Sequence, residues 1–249
     1  MSGLFKIRGL TKRYGDRTVL DRIDLDLERG EGLALLGRSG TGKSVLLRQL
    51  NGLEAPSEGT IEFDGQCLSR LDERQLAPIR RRVAMLFQSG ALFDSMTVFG
   101  NIAFPLLEHT DMDEDEVREC VAEKLRRVGL EGIEDRMPSQ LSGGMRKRVA
   151  LARSLALDPE VVLFDEPSTG LDPMTAASIA SLIESARRDL GVTCVVVTHD
   201  LPLARRTGQR VAYLHESKFR FIGTWAEAEA SDDRHLHDFL EGREENHAA

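Results

Sequence analysis

The sequence predicts an α/β protein built on a buried parallel sheet, and three observations carry that prediction. Apolar runs without alternation recur at Gly32–Leu36, 161–164 and Thr193–Val197, the pattern of strands covered on both faces. A glycine-rich loop and a helical stripe follow the first run, which makes the opening unit of a parallel α/β fold. The other two enclose a helical segment, Pro173–Leu190, whose Ile179, Leu182, Ile183 and Ala186 share one face, a second βαβ unit.

Taken in chain order, residues 19–27 alternate, with Ile23, Leu25 and Leu27 opposite Asp24 and Asp26, and predict a half-exposed strand. A turn over 28–32 leads into the first buried strand. Residues 44–53 read as a helix through Leu46, Leu47 and Leu50, with Gly52 near its end. An apolar strand at 83–87 precedes Gln88. Over 113–128, Asp113 caps a helix whose first turn is acidic and whose apolar face is Val117, Val121, Leu125 and Val128. A further helix is predicted at 146–155, and the tail 243–249 is polar and loose.

At 249 residues, with 41% hydrophobic and 30% charged residues, the chain has the size and composition of one large globular domain and not of a disordered or fibrous protein. No stretch approaches the roughly 18 consecutive apolar residues of a membrane helix, and the charged amino terminus is unlike a signal peptide, so a soluble cytosolic protein is expected. Cys67, Cys120 and Cys194 form no CxxC pair and read as buried small hydrophobes. The net charge of −8 argues against a nucleic-acid partner.

The chemistry begins at Gly37-Arg38-Ser39-Gly40-Thr41-Gly42-Lys43-Ser44, which fits GxxxxGK[ST] and stands between a buried strand and a helix, where a phosphate loop must stand. Glycines let successive N–H groups converge on phosphate oxygens. Lys43 reaches the β and γ phosphates, and the Ser44 hydroxyl ligates Mg²⁺. Asp165 and Glu166 end the 161–164 strand at the edge where ligands of open α/β sheets gather. Asp165 is expected to hold Mg²⁺ directly or through water, and Glu166 to polarise a water that attacks the γ phosphate. Ser142, Gly143 and Gly144 open the helix that follows them, and its free N–H groups suit an anion.

With Leu141-Ser142-Gly143-Gly144-Met145 standing before that strand, the chain resembles the ATP-binding cassette (ABC) ATPases from about Leu4 to Gly242. The resemblance implies one domain over 4–242 with the P-loop NTPase ABC fold: a RecA-like core, an antiparallel β subdomain, and an α-helical subdomain inserted at about 89–157. It implies ATP and Mg²⁺ as ligands. It also implies that Ser142, Gly143 and Gly144 contact ATP held by a second copy, so that two half-sites close in a head-to-tail dimer. Tyr14 matches the aromatic that stacks on adenine. Gln88 matches the Q-loop residue that senses Mg²⁺ and the attacking water. Asp172, in the segment 168–172, matches the D-loop that communicates across the dimer, and it can equally be the cap of the next helix. His199 matches the switch histidine that orients the water with Glu166. Of the six histidines it alone is expected at a buried-strand edge, with His109, His235 and His237 solvated.

Residues 88–98 and 101–106, Met145 and the closing segment 237–242 resemble, within that family, the Mla-type phospholipid-transport ATPases. That implies a MlaE-like permease, an MCE-domain lipid-binding protein and a STAS-domain protein as partners, and a place on the cytoplasmic face of the inner membrane. The permease contact is expected around 89–107, with Leu92, Phe93, Met96, Val98 and Phe99 divided between contact and core. Two other readings stand beside this one: an importer ATPase for an amino acid or other small solute, and a nucleotide-gated regulatory module with little turnover.

Overall fold

The computed structural model describes residues 3–243. The expected tail at 243–249 therefore lies outside the described residues beyond Arg243.

Two sheets form the scaffold. Strands β1 (Phe5–Tyr14), β2 (Arg17–Leu27), β4 (Glu58–Phe63) and β5 (Gln66–Cys67) make an antiparallel sheet in the order β2-β1-β4-β5. Strands β3 (Gly32–Leu36), β6 (Val83–Leu86), β7 (Val161–Asp165), β8 (Thr193–Val197), β9 (Arg210–His215) and β10 (Lys218–Thr224) make the second, in the order β10-β9-β3-β8-β7-β6. Every pairing in it is parallel except that of the edge strand β10 with β9. All residues of β3, β7 and β8 are buried, which is why their sequences do not alternate.

Helices α1 (Lys43–Leu50) and α2 (Glu73–Arg82) precede a helical group, α3 (Val98–His109), α4 (Glu114–Arg127) and α5 (Gly143–Ser154), inserted between β6 and β7. Then come α6 (Pro173–Leu190), α7 (Leu201–Thr207), α8 (Trp225–Glu229) and α9 (Arg234–Leu240). The start of α4 carries a full capping box, Asp113 with Glu116, worth about 1 kcal/mol. Helix α1 stops at Leu50 rather than at 53, because Gly52 turns left-handed (φ 72°) and Leu53 N–H bonds back to the Arg48 carbonyl. Helix α5 starts at Gly143, three residues before its expected first turn, with Ser142 as its cap.

The parallel sheet has a core on each face. Cys194 and Val196 point into the layer shared with α3, α4, α5 and α6, while Val195 and Val197 point to the layer holding α1 and the antiparallel sheet. A third cluster joins Leu36 and Tyr213 to Leu236 of α9. Two expectations from the sequence fail here. Of the cysteines only Cys194 is buried, its thiol pushed up to about 12 by that burial; Cys67 at the end of β5 and Cys120 in the middle of α4 are half-buried. His215 also ends a buried strand, β9, and stacks at 4.6 Å on His235; His237 is half-buried too, its Nε2 against the Ser231 carbonyl. The docking of α9 on Tyr213, which the local sequence does not announce, is what half-buries the two α9 histidines.

Candidate functional site

Strand register sets the site. Leu35 of β3 and Asp165 of β7 both lie level with Val197 of β8, so the loops after these three strands leave the sheet side by side. The loop after β3 turns at Gly37, where a Cβ would stand 2.4 Å from the Leu214 carbonyl oxygen, and at Gly42 (φ 106°), where it would meet Val19 at 2.9 Å. Only glycine fits both. Gly42 is the N-cap of α1 and supplies no side chain to the helix N-terminus, which leaves first-turn N–H groups turned to the cleft.

Lys43 is buried, and its ammonium donates to the Gly37 and Arg38 carbonyls at 2.7 and 2.8 Å. Burial holds its pKa below the ordinary lysine range, opposed by the nearby Glu166 and Asp165 carboxylates. Thr41 Oγ1 donates to the Arg38 carbonyl at 2.8 Å and braces the loop. Ser44 Oγ donates to Asp165 Oδ1 at 2.8 Å. A hydroxyl and a carboxylate side by side are the hard oxygen donors that Mg²⁺ takes, so these residues fit that ion.

Glu166 stands at φ 49°, in the left-handed region, held by its N–H bond to the Val197 carbonyl at 2.9 Å. Its Oε2 lies 2.8 Å from His199 Nδ1 and accepts from Thr169 Oγ1 at 3.5 Å. The Glu166 side chain is 16% exposed and that of His199 67%, so a half-sheltered carboxylate is paired with a ring open to whatever enters.

One cleft of about 950 Å³ has Tyr14, Gly37, Arg38, Ser39, Gly40, Gly42, Lys43, Ser44, Gln88, Glu166 and His199 on its wall, while Thr41 and the buried Asp165 stand behind that wall, Asp165 reached through Ser44. Tyr14 is 46% exposed and donates its hydroxyl to Glu54; burial, then that hydrogen bond, raises its pKa. Gln88 is exposed and follows β6 after Phe87, which lies outside the strand. Ser142, Gly143 and Gly144 do not reach this cleft. Ser142 caps α5 through Met145 N–H at 3.2 Å, and a Cβ on Gly144 would stand 2.5 Å from Thr175 Cγ2 of α6. Asp172 lies beside them as the cap of α6, accepting from Thr175 N–H at 3.0 Å and Thr175 Oγ1 at 2.6 Å. So the chain divides its candidate residues between a walled cleft and an exposed turn.

Sequence reading gave no site role of their own to Arg17, Val19, Val45, Val197 and Phe239 on the cleft wall, and took Thr169 only as part of the segment 168–172. It also missed Lys147, buried near Asp165 and Glu166 with its ammonium donating to the Gln88 carbonyl. Phe239 arrives with α9 from far along the chain, and no local pattern marks it. Lys147 carried a signal, a cation on the buried face formed with Val149, Ala150 and Leu151. Among the described residues no helix is long and apolar enough to cross a membrane.

Residues 20–169 match the family described as ABC transporter. The chain is 42% identical over 239 residues to the intermembrane phospholipid transport system ATP-binding protein MlaF of Haemophilus influenzae, covering 96% of this chain and 90% of that protein. It is also 42% identical over 238 residues to a probable ribonucleotide transport ATP-binding protein, mkl, of Mycobacterium tuberculosis, covering 96% of this chain and 66% of that one. Among solved structures, a dimeric ATP-binding cassette in a post-hydrolysis state bound to ADP and Pi superposes with a TM-score of 0.82 at 33% identity, over 88% of this chain and 98% of that one. The cbiO1 subunit of an ABC transporter complex from Clostridium perfringens superposes with a TM-score of 0.85 at 31% identity, over 96% of each chain.

Proposed function

The chain belongs to the ABC transporter family, and on that premise we propose that it is the ATP-hydrolysing subunit of a system that moves phospholipid between the inner and outer membranes. The observation that carries this reading is 42% identity to MlaF over nearly the whole of both chains, with Lys43, Ser44 and Glu166 on the wall of one cleft and Asp165 bonded to Ser44 behind it.

The roles follow from the geometry. Main-chain N–H groups of 37–44 and the α1 N-terminus receive the β and γ phosphates, and Lys43 leaves its two carbonyls to join them. Tyr14 offers its ring to the adenine at the cleft's other end. Ser44, Asp165 and Gln88 would hold Mg²⁺, which would supply positive charge against the phosphates. Glu166 accepts the proton of the attacking water, His199 holds that carboxylate in place and reaches toward the γ phosphate, and Gln88 orients the water. The exposed Ser142–Gly144 turn and Asp172 complete the site of a second copy in a head-to-tail dimer.

Residues 4–242 form one ABC ATPase domain, with 89–157 as a helical subdomain, a division supported by the insertion of α3, α4 and α5 between β6 and β7. A MlaE-like permease docks beside it, in the groove of about 350 Å³ lined by Arg80, Phe87, Pro105, His109 and Arg153. Of the apolar residues expected there, Val98 is fully buried and serves the core, while Phe93 is exposed and available. An MCE-domain protein and a STAS-domain protein complete the assembly, which holds this chain at the cytoplasmic face of the inner membrane.

The mycobacterial relatives, equally identical over two thirds of their length, favour a second reading in which the cargo is a ribonucleotide. Purification of the tagged chain from native membranes, with mass spectrometry of proteins and lipids, separates the two. A MlaE-like permease with bound phospholipid is expected. A solute permease without lipid, or soluble partners alone, overturns the assignment.

A further inference from the structure

Residues 88–93 do not hang free between core and helical group; they lie along α5 and are fastened to it at both ends. At one end the Lys147 ammonium donates to the Gln88 carbonyl. At the other, Arg153 Nη1 donates to the Ala91 carbonyl at 2.7 Å, and the guanidinium covers the Phe93 ring at 4.5 Å. Between the two, Gly90 (φ 78°) comes so close to α5 that a Cβ there would meet Ala150 Cβ at 3.3 Å. The buried Asn101 of α3 closes the far side, accepting from Phe93 N–H at 2.8 Å and donating to the carbonyls of Phe93, Met96 and Thr97.

Lys147 and Arg153 stand six positions apart on α5, about 9 Å along its axis. They serve opposite surfaces. Arg153 lines the groove assigned to the permease, whereas Lys147 is buried, near Asp165 and Glu166 and behind the cleft wall that Gln88 and Glu166 form. Burying an ammonium is costly unless its donors are used, and the donor identified here is spent on the main chain of Gln88 rather than on a structural carboxylate. The same helix begins at the Ser142–Gly144 turn.

We propose that Lys147 is a positioning residue for ATP hydrolysis: it straps Gln88 to α5, so that the helix carrying the Ser142–Gly144 turn also sets where the Gln88 side chain stands in the cleft. The inference rests on the ATPase reading and adds to it a residue that touches neither phosphate nor metal.

The test uses the full chain in its membrane complex, comparing wild type with Lys147→Met, Lys147→Arg, Gln88→Ala and the double variant Gln88→Ala/Lys147→Met. Lys147→Met is expected to lower kcat about tenfold or more through misplacement alone, with KM for ATP and binding of a fluorescent ATP analogue held within about threefold. Lys147→Arg recovers most of the rate. In the Gln88→Ala background, Lys147→Met removes nothing further, because the group it positions is already gone. Unchanged turnover in Lys147→Met, additive losses in the double variant, or nucleotide affinity lost together with rate overturns the proposal. Should Lys147→Met fail to fold by thermal melting, Lys147→Gln is read by the same criteria. A wild-type complex that does not hydrolyse ATP removes the ATPase reading instead, an outcome distinct from all of these.

Discussion

The phosphate loop and the Ser142–Gly144 turn are both helix N-termini opened by small residues, yet the chain equips them differently. At the first, Gly42 leaves the α1 terminus without a side-chain cap, and it opens on a cleft lined by the buried Lys43 and by Glu166. At the second, Ser142 caps α5, and Ser142 and Gly143 are exposed. The uncapped terminus keeps its N–H groups for a ligand the same chain can enclose. On the proposed reading the exposed one meets its ligand on a second copy, and the close approach of Gly144 to Thr175, which Asp172 caps, keeps the turn and Asp172 side by side.

The largest effect expected from breaking this contrast lies on the cleft side. Glu166→Gln keeps the shape and loses the base, so turnover measured by phosphate release should fall about 10²- to 10⁴-fold while nucleotide binding persists. Equal turnover would take Glu166 out of the reaction.

Gly143→Asp sharpens the contrast from the other side. Gly143 has an ordinary backbone conformation, and a Cβ there comes no nearer than 3.7 Å to Leu171, while an acid in a first helical turn is favourable. The fold and the chain's own nucleotide binding should therefore be unchanged. A carboxylate set against the phosphates of a second copy should cost turnover about a hundredfold and abolish ATP-dependent dimers in light scattering. If dimers still form, the exposed turn is not the second half-site.

The smallest effect concerns the cap that aligns the turn's neighbour. The Thr175 hydroxyl, then the helix N–H groups, holds the Asp172 carboxyl below the ordinary aspartate range. Its ionised form therefore stabilises the fold at neutral pH, and that contribution is lost as pH falls through the depressed pKa. Asp172→Ala should lower the thermal midpoint slightly at neutral pH, and the gap from wild type should close in acid.

Much of the cleft was legible in the sequence because its parts are local. The run Gly37–Ser44 carries its own turn, and Asp165 and Glu166 end a strand whose apolarity marks it as central. The cap at Asp113 and the limits of Pro173–Leu190 and Thr193–Val197 were legible for the same reason. Strand β1, the β9–β10 edge and helices α2, α3 and α7–α9 were not read, since their patterns are short or mixed and are decided by what packs on them. The histidines show the cost of local reading: His235 and His237 look solvated until α9 is docked.

The sequence alone determined the central parallel strands, the phosphate loop, the carboxylate pair and, through resemblance, the family, because each depends on residues adjacent in the chain. Tertiary structure decided that β8 lies between β3 and β7 and brings Ser44 to Asp165 and His199 to Glu166. It also decided that Phe239 reaches the cleft and that Lys147 is strapped to Gln88. Those pairings join residues 33 to more than 100 positions apart, or 59 for the strap. At such separations sheet register and helix docking bring side chains together, and no local period records them.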